Sequence, residues 1–161
     1  MMKIYHGSTM VVRHPEIRPS NRTLDYGQGF YATSSQIQAE SWIRRRSDEE
    51  KNLKGYLNVY SFDDSQLDQL NVLSFEDANE HWVDFVMKNR TELGFSHAYD
   101  IVYGPVANDK VYASFALFES GLIDKTTLIS ELKTYKLVDQ FLFHTEKSLL
   151  SLTFLEAIEI R

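Results

Sequence analysis

Segments that suit strands and segments that suit helices are interleaved along this chain without a regular alternation, and that order is its strongest constraint on fold. Met2 to His6 reads as a first strand, followed by an irregular segment holding His14-Pro15 and Arg18-Pro19. Phe30 to Thr33 reads as a short strand. Ser35 to Arg46 reads as a helix, with Ser35 and Gln38 at capping-box spacing and Ala39, Trp42 and Ile43 on one face. Its end runs into the charged stretch Arg44 to Lys51, read as a solvated surface loop, because a basic triplet followed at once by acids makes a poor phosphate patch. Tyr56 to Phe62 alternates as a strand should. Asp77 with Glu80 opens a helix through about Arg90, with Trp82, Val83, Val86 and Met87 on its apolar side.

Tyr99 to Tyr103 reads as a buried strand ending at Gly104-Pro105, with helices around Asn108 to Glu119 and Lys125 to Tyr135. Strands at Gln140 to His144 and Phe154 to Ile160 close the chain. Such an order favours an α+β fold over a doubly wound parallel sheet. The glycines form no strand-to-helix GxGxxG fingerprint, which argues against a Rossmann domain.

At 161 residues the chain fits one domain, 1–161, and a chain of this length buries about 70% of its unfolded surface. Ten Phe, nine Tyr and two Trp fill a core with aromatics left over for a cleft. A net charge of -6 argues against a general nucleic-acid binder. No cysteine is present, which excludes a disulfide framework, a thiolate zinc site and a cysteine nucleophile. The start Met1 to His6 is too short and polar for a signal peptide, and no apolar run approaches the ~20 residues of a membrane span. A soluble cytoplasmic protein without a membrane partner is the expectation.

Two short segments combine a permissive glycine with an aromatic and a hydrogen-bonding side chain: Tyr5-His6-Gly7-Ser8 and Gly27-Gln28-Gly29-Phe30-Tyr31-Ala32-Thr33. His6, at a strand end, both donates and accepts hydrogen bonds, and Gly7 permits close approach to the backbone. Taken singly, the first segment reads more readily as a satisfied strand-end histidine with a turn glycine, and the second as a structural glycine-aromatic strand. Tyr31 offers a stacking face, while Phe30 on the other side of the strand enters the core. Trp42, on the apolar face of its helix, reads as a core residue. Together the segments supply what a flat amide-bearing ring on a ribose needs.

In this order the segments resemble the ADP-ribosyltransferases of the diphtheria-toxin and poly-ADP-ribose-polymerase branch. There a strand ending in Tyr-His-Gly-(Ser/Thr) precedes a Gly-Phe-Tyr-x-Thr strand and a helix carrying a second aromatic. The resemblance implies split antiparallel β-sheets with flanking helices and NAD as co-substrate, bound in the cleft between the sheets. His6 would contact a ribose hydroxyl, the backbone at Gly7, with Ser8 and Gly29 nearby, would hold the carboxamide, and Tyr31 and Trp42 would sandwich the nicotinamide. The family's catalytic glutamate, at the start of a late strand, is replaced here by Gln140, giving His-Tyr-Gln in place of His-Tyr-Glu. A glutamine orients the 2'-hydroxyl without supplying negative charge. Asp139 would point to the opposite face; His144 shares the parity of Gln140, and Glu146 could share its face only if the strand continues that far.

The segment Tyr99 to Asp109 reads as a strand edge suited to a site, or as a turn with Asn108 and Asp109 as helix caps. It resembles a group of uncharacterised bacterial proteins related to the transferases more than the toxins or polymerases. The resemblance implies a toxin-like mono-ADP-ribosyltransferase acting on an unknown acceptor. The alternatives are a silent module of the same fold binding NAD, ADP-ribose or a partner, and a toxin whose cleft an inhibitory protein partner covers. The five histidines, His6, His14, His81, His97 and His144, show no HExxH or comparable metal spacing, so no metal is expected. Neither a GxSxG elbow nor a GxxxxGK[ST] loop occurs.

Overall fold

The computed structural model describes residues 2–18, 24–49, 54–92 and 94–160. In chain order the elements are β1 (Met2–Ser8), β2 (Phe30–Ala32), α1 (Gln36–Glu49), β3 (Gly55–Phe62), a 3₁₀ turn (Asp64–Gln69), β4 (Val72–Ser74) and α2 (Glu80–Thr91). Then come β5 (Ile101–Pro105), α3 (Asp109–Glu119), α4 (Lys125–Thr134), β6 (Asp139–Phe143), α5 (Glu146–Leu149) and β7 (Leu152–Ile160). The strands form a three-stranded sheet ordered β1-β3-β7 and a four-stranded sheet ordered β2-β6-β5-β4. All pairs are antiparallel except β4 with β5. This is an α+β fold with split sheets.

Strand alternation explains how the layers stack. On β3, Leu57 and Val59 face one way and pack with Ala39 and Ile43 of α1. Tyr60 and Phe62 face the other way, into an aromatic layer shared with the second sheet. There Phe62 meets Phe141 and Phe143 edge-on at 5.6 and 5.7 Å, and Phe30 meets Tyr60 at 5.6 Å. Each such pair adds about 0.5–1.5 kcal/mol beyond area burial. On β6, Phe141 and Phe143 serve this layer, while Leu142 turns to the outer core of Trp82, Val86, Val111, Phe115, Leu128 and Leu132. The order of layers is therefore helix, sheet, sheet, helices.

The two sheets are tied where β1 passes β2. Tyr5 and Thr33 exchange backbone hydrogen bonds of 2.8 and 2.9 Å. Thr33 Oγ1 donates to the Asp139 carbonyl at 2.8 Å, and the Asp139 carboxylate accepts from the Ser34 N–H at 2.9 Å and the Tyr103 hydroxyl at 3.2 Å. Asp139 is thus consumed on the face opposite Gln140, as strand parity requires.

Several boundaries differ from the sequence reading. Helix α1 continues to Glu49, so the arginine triplet lies on the helix; residues 50–53 of the charged stretch lie outside the described residues. Ser35 does cap it, its Oγ accepting from the Gln38 N–H at 3.2 Å. The cap of α2 is Asn79, which accepts from the Trp82 N–H at 2.9 Å, and not Asp77. Strand β6 stops at Phe143, so His144 lies past its end and Glu146 sits on α5. Strand β4, the 3₁₀ turn and α5 carry too few residues for a periodic signal. No helix among the described residues is long and apolar enough to cross a membrane.

Gly7 owes its place to packing. A Cβ there would lie 2.5 Å from the Ala39 carbonyl oxygen and 2.8 Å from Ile43 Cγ1, so only glycine lets α1 lie directly on β1. Gly7→Ala is expected to destabilise the protein by about 1–3 kcal/mol through overpacking. Urea unfolding should show a lower midpoint at an unchanged slope.

Candidate functional site

The residues before β2 are held as a rigid shelf. Tyr26 is fully buried, its hydroxyl donating to the Pro105 carbonyl and accepting from Trp82 Nε1, both at 2.8 Å. The Tyr31 hydroxyl donates to the Gly27 carbonyl at 2.5 Å and accepts from the Tyr26 N–H at 3.1 Å, closing a small ring in the chain. Behind the shelf, His97 Nε2 lies 2.7 Å from the Tyr26 carbonyl and His144 Nδ1 lies 2.5 Å from the Gln28 carbonyl. Burial holds the His97 imidazole below its ordinary pKa, which favours the neutral ring that donates to Tyr26 and accepts from the Tyr99 N–H. Gly29 has φ +153°, and a Cβ there would collide with the Phe143 carbonyl and the Leu142 side chain.

A cavity of about 400 Å³ opens beside this shelf. Helix α1 contributes Gln38, Trp42 and Arg45; β2 contributes Tyr31; the shelf contributes Leu24 and Asp25. The turn from β5 into α3 supplies Val106, Ala107 and Asn108, α3 supplies Tyr112, and β6 supplies Gln140. The volume falls within the range of small-molecule sites.

Gln140 is only 4% exposed; its side chain lies toward the Tyr26 hydroxyl, but its Nε2 makes no hydrogen bond of ordinary geometry among the described residues. An unpaired buried amide costs about 1–3 kcal/mol, so a group of this kind at a cavity wall is poised for a ligand. Asp25 is half-buried and accepts a 3.0 Å hydrogen bond from the Tyr112 hydroxyl. Burial raises its carboxyl pKa, against the opposing effects of the Tyr112 bond and the Arg90 charge. The Arg90 guanidinium lies over the Tyr112 ring, 4.4 Å from its centroid.

Tyr31, Trp42 and Gln140, named from the sequence, converge on this one cavity. Trp42 is half-buried at its wall, whereas its neighbours Ala39 and Ile43 fill the core. His6, Gly7, Ser8 and Gly29 stand outside the lining. His6 sits behind Tyr31, with Nδ1 donating to the Tyr31 carbonyl at 2.6 Å and its ring 4.3 Å from that of Phe30. Ser8 is buried and its Oγ accepts from the Met10 N–H at 3.3 Å.

Asn108 does cap α3, accepting from the Val111 N–H at 3.1 Å, and also faces the cavity. Sequence reasoning set the arginine triplet aside, yet Arg45 lines the site. It also passed over Asp25 and Tyr112. Asp25 stands two residues before Gly27, so widening that glycine segment was the available signal; Tyr112 carried none. Among the described residues, no group of three His, Asp or Glu side chains is arranged to hold a metal ion.

The arrangement gathers three aromatic residues, Tyr31, Trp42 and Tyr112, the Gln140 amide, a carboxylate and a cation around one opening. The sequence profile of a family described as protein of unknown function (DUF3990) matches residues 2–154. No curated protein and no solved structure matches the chain.

The raised Asp25 pKa fixes the sign of a pH effect. A carboxyl held above its unfolded value favours the folded state fully below that value, and the contribution is lost as pH rises through the folded pKa. Asp25→Asn should therefore raise unfolding free energy at pH 7, with the gain vanishing below about pH 4. Urea midpoints of both proteins at the two pH values measure it.

Proposed function

Starting from a chain that belongs to the DUF3990 family, we propose that it is a mono-ADP-ribosyltransferase, which takes NAD and passes ADP-ribose to an acceptor with release of nicotinamide. The observation that carries this reading is the convergence of Tyr31, Trp42 and the unpartnered Gln140 amide on one cavity from three separate elements. The two aromatic rings supply faces for the nicotinamide. Gln140 meets the ribose 2'-hydroxyl through its orphaned Nε2. Arg45, on the α1 wall, offers a cation toward the pyrophosphate. His6 acts through the main chain of Tyr31, which it holds at 2.6 Å, and so sets the position of that ring.

The bond between ribose C1' and the pyridinium nitrogen breaks with its electron pair leaving to the ring, so nicotinamide departs neutral and an oxocarbenium-like sugar remains. An acceptor nucleophile then bonds to C1' and gives up its proton. Excluding water and orienting the sugar are the tasks of the cavity walls.

Gln140 also supports a second reading, a silent module that holds NAD or an ADP-ribosylated group without turnover, because the amide brings no charge to the cleaving bond. Calorimetry with NAD beside an assay of released nicotinamide separates the two. Binding with release is the transferase outcome, binding without release the silent one, and no binding removes both. His6→Ala should weaken NAD binding at least about tenfold, equivalent to about 1.4 kcal/mol, and an unchanged dissociation constant would remove His6 from the site. Gln140→Glu should raise the rate of nicotinamide release.

A further inference from the structure

The position that resembles the family's glutamate carries an amide, and the acids nearest it along the chain are committed elsewhere. Asp139 points to the opposite face and accepts from Ser34, Thr33 and Tyr103. Glu146 lies on α5, beyond the end of β6. Cleavage at C1' with transfer to a protonated nucleophile nevertheless calls for a group that stabilises positive charge and takes a proton.

We propose that Asp25 is the catalytic carboxylate of this cleft, supplied by the loop before β2 and not by the late strand. The proposal rests on the transferase reading. Among the described residues that line the cavity, Asp25 is the only acid, and it shares the wall with the unpartnered, 4% exposed Gln140 amide. Its place is fixed from two sides. The Tyr112 hydroxyl holds Oδ2 at 3.0 Å, and Tyr26, the next residue, is locked between Pro105 and Trp82. A carboxylate held by such a frame needs no reorganisation when charge develops beside it.

The charged and titratable groups around it are Arg90 on α2, Tyr112 on α3, Tyr31 on β2, its chain neighbour Tyr26 and Arg45 on α1. Burial raises the Asp25 pKa, which makes its carboxylate a better proton acceptor than an unperturbed one. In the step, the C1'–nitrogen pair leaves with nicotinamide, and the ionised Asp25 faces the cationic sugar. A water or hydroxyl oxygen of the acceptor bonds to C1', and its proton passes to the Asp25 carboxylate. The work is divided: Gln140 orients the sugar and Asp25 carries the charge.

The test compares the full chain with Asp25→Asn, Asp25→Glu and Tyr112→Phe, using NAD as the probe. Dissociation constants come from calorimetry and nicotinamide release is followed from pH 5 to pH 9, with each variant checked for folding by its thermal transition. Asp25→Asn is expected to bind NAD within about threefold of the wild type while release falls by about a hundredfold or more, with Asp25→Glu recovering part of it. Tyr112→Phe removes a bond that lowers the Asp25 pKa, so the acid limb of its pH profile should move to higher pH. A purely structural Asp25 would leave that limb in place. Unchanged release by Asp25→Asn would overturn the assignment and leave the transferase reading standing. No NAD binding by the wild type would remove that reading and this inference together. Binding without release by the wild type would overturn Asp25 as a proton acceptor and favour the silent module.

Discussion

The knot at Tyr5, Thr33 and Asp139 is the constraint on which the rest of the structure depends. Two backbone hydrogen bonds join the sheets, and the Thr33 hydroxyl and Asp139 carboxylate close the junction. Because strand residues alternate, fixing Thr33 and Asp139 also fixes their neighbours. Phe30 and Ala32 are sent into the core and Tyr31 to the cavity. Asp139 turns into the junction, and Gln140 turns to the cavity wall. A slip of one residue on either strand would exchange these faces, so the same interactions that assemble the sheets aim the site.

The candidate site is built from groups that an interior tolerates poorly. Gln140 leaves a buried amide nitrogen unpaired, and Asp25 keeps a carboxyl in surroundings that disfavour its charge. The surrounding frame bears these costs. Tyr26, buried and bonded at its hydroxyl to both Pro105 and Trp82, ties the loop before β2 to β5 and α2. Tyr31 spends its hydroxyl on Gly27 and lines the cavity. A rigid frame around energetically awkward polar groups is the pattern expected where binding has been favoured over stability.

What the comparison of sequence and structure teaches differs by residue. Ser35 and Asn108 announce themselves as caps because capping is a local hydrogen bond to an N–H three residues ahead. The β3 alternation is legible because period two survives in a single strand. Asn79 was harder, since the chain offers both Asp77 and Asn79 within three residues of the helix, and only the backbone turn selects between them. The reach of α1 through Glu49 was hidden because charged helix ends and charged loops share a composition.

The sequence by itself determined the α+β class, the order of most elements, and the face of β6 that carries Gln140, because these follow from interactions between residues close in the chain. The resemblance singled out His6, Gly7, Ser8, Gly29, Tyr31, Trp42 and Gln140, of which Tyr31, Trp42 and Gln140 line the cavity. Tertiary structure decided the rest. Whether Gly7 answers to a ligand or to a helix depends on how closely α1 approaches β1, and it is Ala39 and Ile43 that fill the space beside it. Whether Asp25 is surface or site depends on Tyr112, 87 residues away in the chain, reaching its carboxylate. Such contacts join residues far apart in sequence, and neither spacing nor composition encodes which of them the packed layers bring together.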